Sequence, residues 1–458
     1  MKFVQKNACF IALFLLGIGF LSSCKDKDII GGERDPGKPT VFSDFSPKQG
    51  AIRTRLYISG DNFGSDVSKI QVYIGERELK VVGANGKQIY CWVPGQTTTG
   101  QVRVVINGDS GSPVEHTFSD QFNYLKSTSV GTLVGNVDQN GNSGIIDGSF
   151  EEAGFTYPGW ITYEPGSNSV FVTEIDRAVR KIDLAARTVS TLITNGQASF
   201  AKLQTTTLST DTDTLYLVDD NGNRSTPNKV AIAYTLRSEN YRRVHPALWD
   251  VGAYGVAPHP MHGGLFYTVT NGTPIKKAVP DPVTGELVPK ELYRIGGNLS
   301  TLIFFHPSGN YAYIMAHSRI YKSMYNWDKQ ELEPAIIFAG GVAGDVDAIG
   351  TSARISRAYQ GIFVKNPAYA GQEDEYDFYF CDQNNHSVRI LAPNGMVTTF
   401  AGKGSPTPDG SKSGYIDGDP RLEARFAEPT GIDYDVERKI FYIAERVNKR
   451  IRTIAVEQ

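Results

Sequence analysis

The chain has 458 residues, among them 47 Gly, 23 Pro, 23 Phe and 23 Tyr. That length exceeds one ordinary domain and suffices to bury a large core. The formal net charge of −3, with no Lys/Arg-rich block, argues against a nucleic-acid partner.

The first 24 residues, "MKFVQKNACFIALFLLGIGFLSSC", place Lys2 and Lys6 ahead of an apolar run from Ala8 to Leu21. This is signal-peptide architecture, too short and wrongly flanked for a membrane span. "LSSC", Leu21–Cys24, resembles a bacterial lipobox. The resemblance implies that residues 1–23 are removed, that Cys24 carries lipid, and that the chain is anchored to the outer membrane of the cell envelope. Residues 24–38 are charged, then rich in Gly and Pro, and read as a flexible tether. Their acidic-leaning start is similar to the export signal of surface-displayed lipoproteins, interrupted by Lys27. Cys91 and Cys381 fall in different expected domains, so no disulfide or metal cluster is expected, and both read as small buried hydrophobes.

Residues 39–125 read as all-β. Short β-branched or aromatic runs ("TRLYISG", "IQVYIG", "QIYCWVP", "QVRVVING") are punctuated by Gly, Asn and Pro. This spacing predicts a small β-sandwich. "FSPKQGAIRTRLYISGDNFG", with the later "VYIG", "CWVPG" and "FNYL", resembles the immunoglobulin-like IPT/TIG domain. In surface lipoproteins such a domain implies a spacer between membrane and working domain; a binding module is the alternative.

Residues 130–458 carry a repeated phrase. "GIIDGSFEEAGFTYPGW", "GDVDAIGTSARISRAYQGI" and "GYIDGDPRLEARFAEPTGI" each place an Asp three residues after a Gly, then an apolar residue eight or nine further on. Phe155 and Ile355, equivalent in two of them, lie 200 residues apart, room for four units of about 50 residues. Six apolar-aromatic segments recur as second strands ("SVFVTE", "TLYLVDD", "LFYTVT", "YAYIMAH", "FYFCDQ", "IFYIAE"). Five first strands ("PGWITYEP", "YGVAPHP", "TLIFFHP", "QGIFVKNP", "TGIDYDV") follow Pro/Gly signals, and third strands are basic at their start. The last unit lacks a fourth strand, which "VGTLVGN", Val130–Asn136, can supply from the other end of the chain. That closure would remove exposed sheet edges. The expected fold is therefore an immunoglobulin-like sandwich followed by a six-bladed β-propeller. "DQNNHSVRILAPNGMVTTFAGKG" and "ARFAEPTGIDYDVERKIFYIAERVNKRIRTI" resemble NHL repeats; blades one, five and six fit that pattern, while two, three and four fit only in strand order. The repeated phrase reads as the loop joining blades: Gly and Asp set a turn, the apolar residue plugs between sheets, and a Gly opens the innermost strand.

In such a propeller, the loops between second and third strands and those joining blades share one face, where ligands bind in the concave mouth. Candidates from the first set are Asp176, Arg177, Asp219, Asn271, His317, Arg319, His386 and Arg446; from the second, Tyr157, Trp249, Tyr254, Tyr359 and Tyr415. Trp160 reads as core. Three functions compete. Aromatic faces with Asp, Asn, Arg and His suit a carbohydrate. A hydrolase or lyase would use His317, His386 and nearby acids. A protein–protein scaffold would use a propeller face. Glu174, Asp219, Asp382 and Glu445 end second strands, where NHL-type acids cap loop backbone, so their expected role is structural. No G-x-S-x-G, H-E-x-x-H or P-loop occurs. The preferred expectation is a non-catalytic, cofactor-free and metal-free lipoprotein. It resembles the accessory glycan-binding lipoproteins of polysaccharide-utilisation systems, which implies a glycan ligand and an outer-membrane transporter as partner.

Overall fold

The computed structural model describes residues 33–108, 113–175, 178–198, 200–222, 228–270, 274–297, 299–402 and 410–457. The signal segment and Cys24 lie outside them. No described helix is long and apolar enough to cross a membrane. The chain divides into two compact units, one built from residues up to 48 with 55–92 and 99–122, the other from 49–54, 93–98 and everything after 122.

The first unit is the sandwich. Val41–Ser46, Arg55–Asp61, Gln88–Trp92, Arg77–Ala84, Ile70–Ile74, Gly100–Ile106 and Val114–Tyr124 hydrogen-bond in that spatial order. Alternation decides which side chains turn inward: Leu56 and Ile58, Val72 and Ile74, Ile89 and Cys91, Val102 and Val104 are all fully buried. Burial pushes the Cys91 thiol up to about 12, consistent with an inert apolar filler. Gly60 has no alternative: a Cβ there would meet the Phe63 ring at 2.4 Å and the Val41 carbonyl at 2.0 Å. Asn62, at φ 61°, spends its side-chain amide on the carbonyls of Asp35 and Lys38.

The second unit is the propeller. Among the described residues it holds six antiparallel four-strand runs; runs two and three are joined into one eight-stranded sheet by the single parallel pairing of Leu248 with Leu287. The innermost strands are Pro158–Glu164, Leu203–Leu208, Ala253–Pro258, Leu302–Phe305, Ala358–Lys365 and Pro429–Asp435. Each packs against the next, and the sixth returns to the first, closing a ring. Thr128–Val134 pairs with Arg450–Val456 as the fourth strand of the sixth blade, so both ends of the unit share one sheet. Blade two contains two strands that the Pro/Gly and apolar signals do not mark: the innermost, Leu203–Leu208, and the outermost, His245–Asp250.

The repeated phrase does more than turn the chain. Phe155, Ile355 and Phe426 are fully buried plugs. The phrase also runs along the outer edge of its own blade, pairing Gly148 with Val189, Ala348 with Val397 and Gly418 with Val130. Its Asp then receives a buried arginine from the third strand. Arg180 meets Asp147 at 2.9 Å, Arg389 meets Asp347 at 2.9 Å, and Arg452 pairs with Asp417. The same guanidiniums lie at 3.5, 2.9 and 2.8 Å from Glu174, Asp382 and Glu445. They also donate to the carbonyls of Ile146, Val346 and Ile416. Asp147, Asp347 and Asp417 in turn accept from fourth-strand hydroxyls of Thr191, Thr399 and Thr132. One buried cation thus ties the second, third and fourth strands and the joining segment of blades one, five and six. Removing water from such a charge is tolerable because acceptors meet its terminal nitrogens; the Nε of Arg452 is bonded to Asp417 as well, while those of Arg180 and Arg389 are buried without a hydrogen bond.

Candidate functional site

The residue just before an innermost strand is held at the propeller mouth. In blades one, two, five and six this is Tyr157, Lys202, Arg357 and Glu428. The acid ending the second strand fixes the segment by accepting backbone N–H groups: Glu174 from Thr156 and Tyr157, Asp219 from Ala201 and Lys202, Asp382 from Ser356, Glu445 from Ala427. These carboxylates are buried and spent on the loop. Burial raises the pKa of Asp219, and pushes that of Asp382 up to about 6 against the pull of Arg389.

A cavity of about 390 Å³ opens here, lined by Thr156, Tyr157, Ile175, Lys202, Gln204, Tyr254, Arg357, Tyr359 and Arg446. A second, of about 300 Å³, shares Tyr254, Arg357 and Tyr359 and adds Leu299, Ser300, Leu302, Met315, His317 and Ala358. Together they form one recess. The hydroxyl of Tyr254 lies 3.4 Å from that of Tyr359. Arg446 covers one face of the Tyr157 ring at 4.1 Å and stands 3.6 Å from Glu428. Tyr359 is 93% buried and meets Trp160 edge-on, so it presents its hydroxyl rather than a ring face. Burial, then neighbouring Arg357, holds the His317 imidazole below its usual range.

Of the residues picked from sequence, the structure brings Tyr157, Tyr254, His317, Tyr359 and Arg446 into this recess. Asp176, Arg177 and Asn271 lie outside the described residues. Trp249 is not in a joining loop: it sits in the outermost strand of blade two and lines a separate cavity of about 560 Å³ with Asp219, Phe200 and Val230. Tyr415 is not at the recess either, but packs under Arg450 at 4.0 Å and bonds Thr132. His386 lines neither cavity of the recess; its Nδ1 accepts the Glu428 N–H at 3.1 Å. Arg319 opens the third strand of blade four and also lines neither. Sequence reasoning missed Lys202, Gln204 and Arg357. The signal that would have found Lys202 and Arg357 is positional: each precedes an innermost strand.

Residues 39–124 match the model of the IPT/TIG domain family. No curated protein matches the sequence significantly. Among solved structures, an auxiliary nutrient binding protein from Bacteroides thetaiotaomicron VPI-5482 is 37% identical, with a TM-score of 0.80 over 93% of this chain and 100% of that one. An auxiliary nutrient binding protein from Bacteroides ovatus ATCC 8483 is 34% identical, with a TM-score of 0.68 over 93% and 100% of the two chains. A further Bacteroides thetaiotaomicron VPI-5482 protein, named a candidate phosphatase, is 30% identical with a TM-score of 0.76 over 93% and 99%.

Proposed function

We propose that this chain, which belongs to the family of the Bacteroides auxiliary nutrient binding proteins, holds an oligosaccharide nutrient in the propeller recess without transforming it. The observation that supports this best is the convergence of Tyr157, Tyr254 and Tyr359, from three different blades, on one open recess rich in hydrogen-bond donors. Its volume is in the range of small-ligand sites, about 300–1,000 Å³. Among the described residues, those lining its two cavities include no Asp or Glu, which supports binding rather than glycoside hydrolysis by a carboxylate pair.

The lipobox-like "LSSC" supports a lipid anchor at Cys24, with the IPT/TIG domain as spacer. On an outer membrane, many anchored copies would retain a polysaccharide through weak individual sites and pass fragments to an outer-membrane transporter. The test is affinity gel electrophoresis of the full chain in mild detergent against a polysaccharide panel, with assays for new reducing ends and for phosphate release from a generic phosphomonoester. Retardation without either product is the expected result. Cleavage or phosphate release would overturn the non-catalytic reading, and absence of retardation on every glycan would overturn the ligand class.

A further inference from the structure

We infer that the ligand presents an anionic group, a carboxylate or sulfate, to Arg357, Lys202 and Arg446; the inference rests on the glycan-binding reading and names the class of glycan. The chain as a whole carries a net charge of −3, yet the described residues lining the recess include three cations and no acid, with Glu428 standing beside it at Arg446. Glu428 answers Arg446 at 3.6 Å, which leaves Lys202 and Arg357 with no ion pair among the described residues. A wall with surplus donors and positive charge suits a ligand with surplus acceptors and negative charge.

The ring geometry points the same way. A neutral pyranose needs bare aromatic faces, but one face of Tyr157 is taken by Arg446 and Tyr359 is buried. Arg357 is also built in at a cost. Its backbone is left-handed, φ 71°, a conformation that side chains other than those of Asn and Asp rarely adopt. Neighbouring bonds pin it there: its carbonyl accepts from Gln383 N at 3.1 Å, Ser356 N donates to Asp382, and Ala358 N donates to the His317 carbonyl at 2.7 Å. A fixed backbone roots this guanidinium at the recess wall, where its fork can meet a carboxylate or sulfate with two hydrogen bonds.

The experiment compares matched polymers with the full chain in detergent: polygalacturonate against its methyl ester for the carboxylate, and dextran sulfate against dextran for the sulfate. The expected result is retardation by the charged member of one pair, weakened by salt, with its neutral partner at least about tenfold weaker. Arg357→Asn keeps a residue that tolerates the left-handed backbone and should lose roughly tenfold affinity for the charged polymer. Lys202→Gln should lose affinity in the same direction, while Arg243→Gln, at a side chain 74% exposed outside the recess lining, should not. A neutral polymer bound as tightly as its charged partner overturns the anionic assignment and leaves the glycan reading standing. Unchanged affinity in both Arg357→Asn and Lys202→Gln overturns it too. Retention of no polymer at all sinks both readings.

Discussion

At the scale of single residues, Arg452 shows what the repeated phrase is for. Its guanidinium is fully buried between Glu445 and Asp417 and answers the carbonyls of Ile416 and Arg425. Taking away the cation strands a buried carboxylate, and breaking such a pair costs about 3–5 kcal/mol. Arg452→Met is therefore expected to destabilise the protein by that amount in urea unfolding, while Asp417→Asn, at a side chain 44% exposed, should cost about 1 kcal/mol. Equal losses in the two variants would refute the division. The Asp residues were legible as a recurring position, but their partners were not. Asp147, Asp347 and Asp417 precede their arginines by 33, 42 and 35 positions, because the insertion around Asn366–Asp374 stretches blade five. A pairing whose spacing varies leaves no fixed period in the sequence.

At the scale of elements, the closing strand was legible because "VGTLVGN" has the form of the other fourth strands and a blade lacked its fourth member. Val134 is 2% exposed against Phe155, Tyr442 and Ile451. Val134→Asp puts an unpaired carboxylate there, so a loss of about 3 kcal/mol and aggregation through the freed edge of Arg450–Val456 are expected. Light scattering on heating checks this, and a variant that melts like the parent would show that the strand is dispensable. The innermost strand of blade two was not legible, for a physical reason. In "LQTTTL" three of the four buried positions are polar, Gln204, Thr205 and Thr206, and the threonines bond neighbouring blades: Thr205 reaches the Tyr254 carbonyl, and the Thr206 carbonyl receives Trp160 and Thr162. Polar satisfaction across the ring replaces the aliphatic run that a periodicity search looks for. Losing that strand also hid Lys202, the residue before it. Of the three cations that line the recess, only Arg446 was therefore picked from the sequence.

At the scale of the whole molecule, the histidines set an acid limit. Of seven, five (His259, His262, His306, His317 and His386) are held below the usual imidazole range, with burial the leading cause in each. His259 is the extreme case, pushed down to about 4 by burial and then by His262 stacked on it at 4.0 Å. Around it stand Phe305, Tyr325 and Trp327, with Lys277 as the nearest cation and the Gly309 carbonyl on its Nε2. Unfolded imidazoles titrate near pH 6.5, so the unfolded chain takes up protons that the folded chain refuses. The stability these groups contribute is full above that pH and is lost as pH falls toward 4. Asp382 and Asp433, pushed up to about 6 by burial, act in the opposite sense: their contribution is present at low pH and lost as pH rises through 6. Burial raises the pKa of Asp219, Asp377 and Glu445 in the same sense; between pH 7.5 and 6, however, all five histidines cross their unfolded pKa, and His259 alone accounts for roughly 0.8 kcal/mol. The melting temperature is accordingly expected to drop over that interval, and His259→Gln to flatten the slope even if its absolute stability is lower. A slope unchanged by His259→Gln would move the acid sensitivity to the other four histidines. A melting temperature that rises on acidification would instead give the buried carboxylates the larger share.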